Sequence, residues 1–133
     1  MLPEKILEPG TLRHRDGKVS VSVRMPWYRA LPLSSVADVT LEIDGVQVPE
    51  DSLRWKVNGT SYALGELPPR HDEWWYVLDS AVIEGDLPEL DRAENHEVHA
   101  TVGLYIPYIA VGDETLEIVE HDRKTMHLEG ADS

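Results

Sequence analysis

Hydrophobic and polar residues alternate along several stretches of this chain, the pattern of β-strands that bury one face. From Lys18 to Arg24, three valines alternate with two serines, so all three valines lie on the same side of a strand. The same period of two recurs from Val39 to Ile43 and, over the longest stretch, from His96 to Ile106. Pro107 is expected to end that strand, because proline lacks the backbone donor that pairing needs.

Tight-turn dipeptides join neighbouring strands into hairpins. Asp44-Gly45 follows one alternating stretch, and Asn58-Gly59 follows another, which contains Trp55. Because little helical periodicity lies between them, the sequence predicts an all-β fold, a single-domain antiparallel β-sandwich of jelly-roll type with about eight or nine short strands. Further strands are predicted at 46–48, 53–57, 62–64, 74–78, 81–83 and 115–120, the last with an extension toward Leu128.

One domain is expected to span residues 1–133, which is long enough to bury a hydrophobic core. Within it, residues 1–17 are predicted to form an N-terminal arm, and residues 129–133 a polar tail. Phenylalanine is absent, so the four tryptophans supply most of the aromatic bulk. We expect Trp55 and one of Trp74 and Trp75 in the core. The other of that pair then points to the opposite face and covers a second surface, such as a partner chain.

Charge and composition disfavour several classes of function. The net charge is −13, with +3 on residues 1–29 and −16 on the remainder, which disfavours nucleic acids and anionic membranes as partners. Cysteine is absent, which excludes disulfides and thiolate metal sites. The N-terminus lacks the pattern of a secretion signal, and no apolar run is long enough to span a bilayer. We therefore expect a cytoplasmic protein.

After Val23 the alternation gives way to a proline-stiffened segment rich in aromatic residues and arginine. This segment, Arg24–Ser35, is named the aromatic loop; Trp27, Tyr28 and Arg29 lie in it between two prolines. Each proline fixes φ and removes a donor, so neither suits a central strand or a helix. Tryptophan, tyrosine and arginine are enriched at the centres of interfaces and in walls that stack on sugars or aromatic ligands. The loop indicates contact with a partner or ligand, or else it folds back onto its own core.

Candidate catalytic groups are sparse. His96 and His99 lie on opposite faces of one strand, whereas Glu97 and His99 share a face, to which His71 or Glu84 could add a third metal ligand. The abundant carboxylates fit a solvated acidic surface. No nucleophile elbow, P-loop or dinucleotide fingerprint occurs. The residues alone therefore indicate no catalytic site.

The aromatic loop carries a family resemblance. Its sequence Arg24-Met25-Pro26-Trp27-Tyr28-Arg29-Ala30-Leu31-Pro32-Leu33-Ser34 resembles the Arg-x-Pro-Tyr-Tyr-Arg-x-Leu-Pro-Leu-Ser motif of the small (beta) subunit of C-glycoside deglycosidases. Trp27 departs from the usual tyrosine. The likeness extends to the hairpin from Val39 to Val48, to Tyr62–Leu67, to Trp75 and to Ile106-Pro107-Tyr108.

The resemblance implies a β-sandwich subunit of a hetero-oligomeric carbon–carbon lyase. Its alpha subunit would resemble a TIM-barrel sugar isomerase and hold a divalent metal, manganese or magnesium, together with the catalytic base. The substrates would be plant C-glycosides, such as flavonoid C-glucosides, already oxidised to a 3-oxo sugar. This chain would then contain no catalytic residue, no metal and no cofactor of its own.

The resemblance also assigns roles within the aromatic loop. Tyr28 and Arg29 are expected to line the substrate pocket, although Arg29 could instead form a salt bridge with a carboxylate of its own chain. The residues expected to contact the alpha subunit are Met25, Pro26, Trp27, Leu31, Pro32 and Leu33.

Two alternatives remain: a free-standing carbohydrate- or aromatic-binding module, and a cupin-like metalloenzyme that uses His71, His96 or His99.

Overall fold

The computed structural model describes residues 6–8, 10–24, 30–57, 59–67, 69–70, 72–76, 80–90 and 95–127. Within these ranges the chain is built of β-strands joined by turns and three short 3-10 segments. The strands are β1 (Arg13–Arg15), β2 (Lys18–Val23), β3 (Leu31–Pro32), β4 (Val36–Ile43), β5 (Val46–Gln47), β6 (Arg54–Val57), β7 (Thr60–Ala63), β8 (Trp74–Trp75), β9 (Ala81–Asp86), β10 (Asn95–Val111) and β11 (Glu114–His127).

Three antiparallel sheets organise the described strands. One has five strands in the order β1-β2-β9-β6-β7, a second has four in the order β11-β10-β4-β5, and β3 pairs with β8 alone. Residues from all three sheets contribute to one hydrophobic core. The predicted antiparallel all-β fold is therefore confirmed, whereas the jelly-roll connectivity stays a prediction.

The alternating patterns produce the expected burial. All three valines of β2 are buried, and so are Val39, Leu41 and Ile43 in β4. In β10 the buried apolar side chains include Val98, Ala100, Val102, Leu104 and Ile106, the apolar set of the sequence pattern. One face of each of these strands thus packs into the core, which is why the period of two identified them.

Asp-Gly pairs close two of the hairpins. Asp44 and Gly45 both have positive φ, 55° and 81°, as a two-residue type I′ turn requires. Asp16 and Gly17 have the same left-handed geometry, at 56° and 76°, and join β1 to β2. The strand β1 and the Asp16-Gly17 turn fall inside the predicted N-terminal arm, and Leu12 just before them is buried, so this part of the arm packs into the folded domain.

The predicted end of the longest strand at Pro107 is wrong, because β10 continues to Val111. Its pairing with β11 shifts register between Ile106 and Ala110, and a proline is tolerated where such an irregularity removes the demand for a ladder donor.

The predicted tail at 129–133 lies outside the described residues. No helix in the described ranges has the length and apolar character needed to cross a bilayer.

Candidate functional site

Both ends of the aromatic loop are held by the rest of the fold. Its residues 25–29 are outside the described part of the chain, so the predictions for Met25, Pro26, Trp27, Tyr28 and Arg29 stay predictions. The described flanks are Arg24 on one side and residues 30–35 on the other. Their contacts show how the fold holds the two ends of the loop in place.

The first flank is tied to the N-terminal segment. The backbone N–H of Arg24 donates to the carbonyl of Ile6 at 2.8 Å, and Leu7 forms a β-bridge with Val23. The N–H of Glu8 donates to the carbonyl of Ser22 at 3.0 Å. The end of β2 is thus paired with residues 6–8 just before the loop begins.

The second flank is tied to β8 and the turn before it. Leu31 and Pro32 lie opposite Trp75 and Trp74 in an antiparallel pair. Beyond this pair, the N–H of Leu33 donates to the carbonyl of Glu73 at 2.8 Å. The end of the loop therefore sits on β8 as part of the same small sheet.

The loop residues of this second flank have different surroundings. Leu31 and Leu33 are only 2% and 0% exposed, and both belong to the chain's own core. A side chain already covered by its own domain offers no surface to another polypeptide. Pro32, which is half-buried, keeps an accessible face. Of these three expected interface residues, Pro32 is the one whose side chain is accessible to another polypeptide.

An exposed aromatic pair lies beside Pro32. Trp74 is 41% exposed and Tyr76 is 55% exposed, whereas Trp75 between them is buried. Alternation along an extended segment explains the arrangement, because residues two apart point to the same side. Pro32, Trp74 and Tyr76 are named the aromatic face. The expectation that one tryptophan of the pair is buried and the other points outward is confirmed.

Arg70 extends the polar surroundings of this region. Its guanidinium lies over the ring of Tyr62, with the Cζ atom 5.6 Å from the ring centroid, a cation–π distance. The Arg70 carbonyl accepts a hydrogen bond from the N–H of Ser34 at 3.0 Å. Sequence reasoning missed Arg70 and Tyr76; for Tyr76 the spacing of two from Trp74 was the available signal.

The residues considered as metal ligands form no metal-binding cluster within the described part of the chain. His71 lies outside the described residues. Glu84 contacts Lys56 at 3.0 Å, and His99 lies 3.9 Å from Glu42. No group of three histidine or carboxylate side chains in the described ranges is placed to share a metal ion.

His96 is instead the buried member of a polar pair with the exposed Asp44, at the far end of β4 from the aromatic loop. It is 3% exposed, and its Nδ1 lies 2.6 Å from Oδ2 of Asp44. Asp44 also accepts the N–H of Glu97 at 2.9 Å. The hydrogen bond from His96 is the main reason that the pKa of the Asp44 carboxyl lies below its ordinary value. A surface cavity of about 480 Å³ adjoins the pair and is lined by Ile43, Asp44, Val46, Leu87, Glu89, Leu90 and His96.

The polar pair and the aromatic loop lie at opposite ends of β4. Asp44 follows the last residue of the strand, whereas Ser35 precedes the first. Eight residues at about 3.3 Å each separate the two ends by roughly 25 Å. The aromatic face is therefore the feature that the described structure places directly against the loop.

Comparison with known proteins identifies relatives over nearly the whole length. A family model described as C-glycoside deglycosidase beta subunit matches residues 13–108. A C-glycoside deglycosidase beta subunit of Arthrobacter globiformis is 50% identical over 128 residues, 96% of this chain and 98% of the relative. One from Microbacterium trichothecenolyticum is 49% identical over 127 residues, covering 95% and 96%. A 3′-dehydrocarminate deglycosidase beta subunit of Microbacterium sp. is 37% identical over 128 residues, covering 96% of each chain.

Proposed function

This chain belongs to the C-glycoside deglycosidase beta subunit family, and from that membership we propose how it takes part in the enzyme. The family name makes it one subunit of a multi-subunit deglycosidase that also has an alpha subunit. We propose that the complex is a carbon–carbon lyase for 3-oxo-C-glucosides of plant aromatic compounds such as flavonoids. The relative named for 3′-dehydrocarminate supports an oxidised sugar in the substrate. A cytoplasmic location stays a prediction from the sequence.

The chemistry explains why an oxidised sugar is needed. A carbon–carbon glycosidic bond has no leaving oxygen that an acid can protonate, so ordinary glycoside hydrolysis does not break it. A ketone at the third sugar carbon acidifies the hydrogen on the second. A base removes that proton to give an enolate. The enolate electrons then form a double bond between the first and second carbons and expel the aglycone carbon, which takes up a proton.

The proposal assigns the base and a divalent metal, manganese or magnesium, to an alpha subunit that resembles a TIM-barrel sugar isomerase. When bound there, the metal stabilises the negative charge of the enolate. The described residues of this chain hold no three side chains placed to share a metal ion. The proposal gives this chain neither a catalytic residue nor a metal, and places it as one side of the substrate pocket.

The aromatic face is the observation that carries the proposal. Trp74 and Tyr76 are exposed on one side of a segment whose backbone is hydrogen-bonded to the end of the aromatic loop. Large aromatic side chains on a fixed backbone lose little entropy when covered and are typical anchors of interfaces. The aromatic face is therefore proposed to bind the alpha subunit.

The aromatic loop is proposed to continue that contact toward the substrate. Met25, Pro26 and Trp27 would extend the interface with the alpha subunit. Tyr28 and Arg29 would approach the substrate, where a phenol ring and a guanidinium stack on an aromatic aglycone or donate hydrogen bonds to its oxygens. The support is the fold itself, since both flanks of the loop are held by backbone hydrogen bonds.

A second candidate function is a free-standing carbohydrate- or aromatic-binding module. The same exposed pair, Trp74 and Tyr76, favours it, because aromatic rings also stack on sugars. The two functions differ in what the isolated chain does. A module binds its ligand as a monomer, whereas a subunit contributes to a pocket only in the complex.

The third possibility raised by the sequence, a cupin-like metalloenzyme, would bind metal stoichiometrically without a partner.

Co-expression with a candidate alpha subunit, a protein that resembles a sugar isomerase, tests the proposal. We expect the two proteins to co-purify and to release aglycone from an oxidised C-glycoside only when both are present. Co-purification without activity in the pair would refute the lyase. A monomeric chain that binds glucosides alone, measured by calorimetry, would favour the module. Stoichiometric metal in the isolated chain would favour the metalloenzyme.

A further inference from the structure

Asp122 is a buried carboxylate on the core-facing side of β11. It is 8% exposed and is one of three buried polar or charged residues in the described part of the chain, with Ser35 and His96. Burying a carboxylate is costly unless hydrogen bonds satisfy it. The contacts that satisfy Asp122 are therefore informative.

One oxygen of Asp122 holds two consecutive backbone amides. Oδ2 accepts the N–H of Leu7 at 3.1 Å and the N–H of Ile6 at 3.2 Å, and Lys124 Nζ lies 3.2 Å from the same oxygen. The two contacts with backbone amides join residues that are more than 110 positions apart in the chain. Asp122 thus fastens the N-terminal segment to the four-stranded sheet, while residues 6–8 pair with β2 of the five-stranded sheet.

The fastened segment is hydrogen-bonded to the first residue of the aromatic loop. The carbonyl of Ile6, whose N–H is bound by Asp122, accepts the N–H of Arg24 at 2.8 Å. Arg24 is the first residue of the loop. An unbroken series of hydrogen bonds therefore runs from the Asp122 carboxylate through Ile6 to the point where the loop leaves β2.

We propose that Asp122 is a positioning residue that fixes the start of the aromatic loop for contact with the alpha subunit, an inference that rests on the proposed function. Asp122 and residues 6–8 both lie outside the range 13–108 of the family match, whereas the loop lies inside it. The role is thus assigned by the three-dimensional contacts. It acts through the backbone of Ile6 and requires no contact between Asp122 and substrate.

The electrostatics agree with a carboxylate that stays charged. Burial by itself favours the protonated form. The N–H of Leu7, the Lys124 ammonium and the N–H of Ile6 together outweigh it and hold the pKa of Asp122 below its ordinary value of 3.8. At neutral pH the carboxylate is therefore available as an acceptor for both amides.

The test compares D122A and D122N with D44N in the full-length chain. Asp44 is a matched control, since its pKa is also lowered and it also accepts a backbone N–H. It lies at the end of β4 that is farther from the aromatic loop. Hydrogen exchange should rise about tenfold or more at the amides of Leu7 and Arg24 in D122A. Exchange in β6 and β7 should match the wild type.

Binding to the alpha subunit supplies the readout that a purely structural role would not move. We expect affinity to fall about tenfold in D122A, to fall less in D122N, whose amide oxygen still accepts, and to stay unchanged in D44N. Faster exchange at Arg24 with wild-type affinity would overturn the proposal. If D122A does not fold, D122N decides between the same two outcomes. Failure of the wild-type pair to bind would refute the proposed function, while the exchange data still report on the link from Asp122 to Arg24.

Discussion

The indole rings of Trp55 and Trp75 meet edge to face, with centroids 5.1 Å apart and planes at 80°. Both rings are fully buried, so this contact fixes β8 against the five-stranded sheet. Because neighbouring residues on a strand point to opposite sides, the anchoring of Trp75 determines that Trp74 faces outward. The aromatic face thus depends on a core contact behind it.

Replacing Trp75 by alanine should destabilise the fold strongly. Removal of a large buried aromatic side chain leaves a cavity and costs about 3–5 kcal/mol. Urea denaturation followed by circular dichroism measures the loss. The matched variant W74A, whose side chain is partly exposed, should cost less than about 1 kcal/mol. Equal losses in the two variants would contradict the assigned orientations.

Gly85 should not tolerate a side chain. In β9 it lies opposite Val19, and a Cβ placed on it would sit 2.9 Å from Cδ2 of Leu53 and close to Val48. Overpacking of a filled core costs about 1–3 kcal/mol, so we expect G85A to lower the free energy of unfolding by that amount. The variant G65A provides the control, because a Cβ at Gly65 meets no atom within 4 Å. Wild-type stability of G85A would show that the core there is loosely packed.

The sequence predicted the strands whose side chains alternate and the turns with distinctive dipeptides. It did so for β2, β4 and the hairpin closed by Asp44-Gly45, because burial of one face imposes the period of two. The turn at Asp16-Gly17 carries the same dipeptide but falls within the predicted N-terminal arm. Its strand β1 spans only Arg13–Arg15 and has no apolar alternation to reveal it.

Local sequence patterns carry no information about the long-range contacts around the loop. Asp122 and Leu7 are 115 positions apart, and no spacing rule links a carboxylate to a backbone amide at that distance. Pro32 and Leu33 looked alike as loop residues, yet one is half-buried and the other is in the core. Which face of a short segment is covered depends on β8, a partner about forty residues later.

Acid should remove the stabilisation that Asp122 provides. Its folded pKa is below the ordinary value of 3.8, so the contribution is complete above that value and disappears as the pH falls through the folded pKa. At pH 7, D122N should be about 1–2 kcal/mol less stable than the wild type. Urea unfolding at pH 7, 5, 4 and 3 should show this difference shrinking below pH 4. A difference that is constant with pH would mean that charge plays no part.

Chelation should separate the roles of the two subunits. Under the proposed function the metal belongs to the alpha subunit, so EDTA should abolish activity of the complex and leave the melting temperature of this isolated chain unchanged. Manganese added back should restore activity. Calorimetry of the isolated chain with and without EDTA is the direct measurement. A lowered melting temperature would place a structural metal in this chain.

The aromatic face gives the most direct prediction about assembly. Interface anchors of this kind contribute about 2 kcal/mol or more each, so W74A and Y76A should each weaken binding to the alpha subunit at least about thirtyfold. Both side chains are more than one third exposed, so their loss should leave the core intact. V46A is the control, since Val46 is an exposed apolar residue beside Asp44 at the far end of β4. Surface plasmon resonance with immobilised alpha subunit measures the affinities. Binding that is unchanged in W74A and Y76A would remove the aromatic face from the interface, and weakening in V46A alone would move the contact to the opposite end of the molecule.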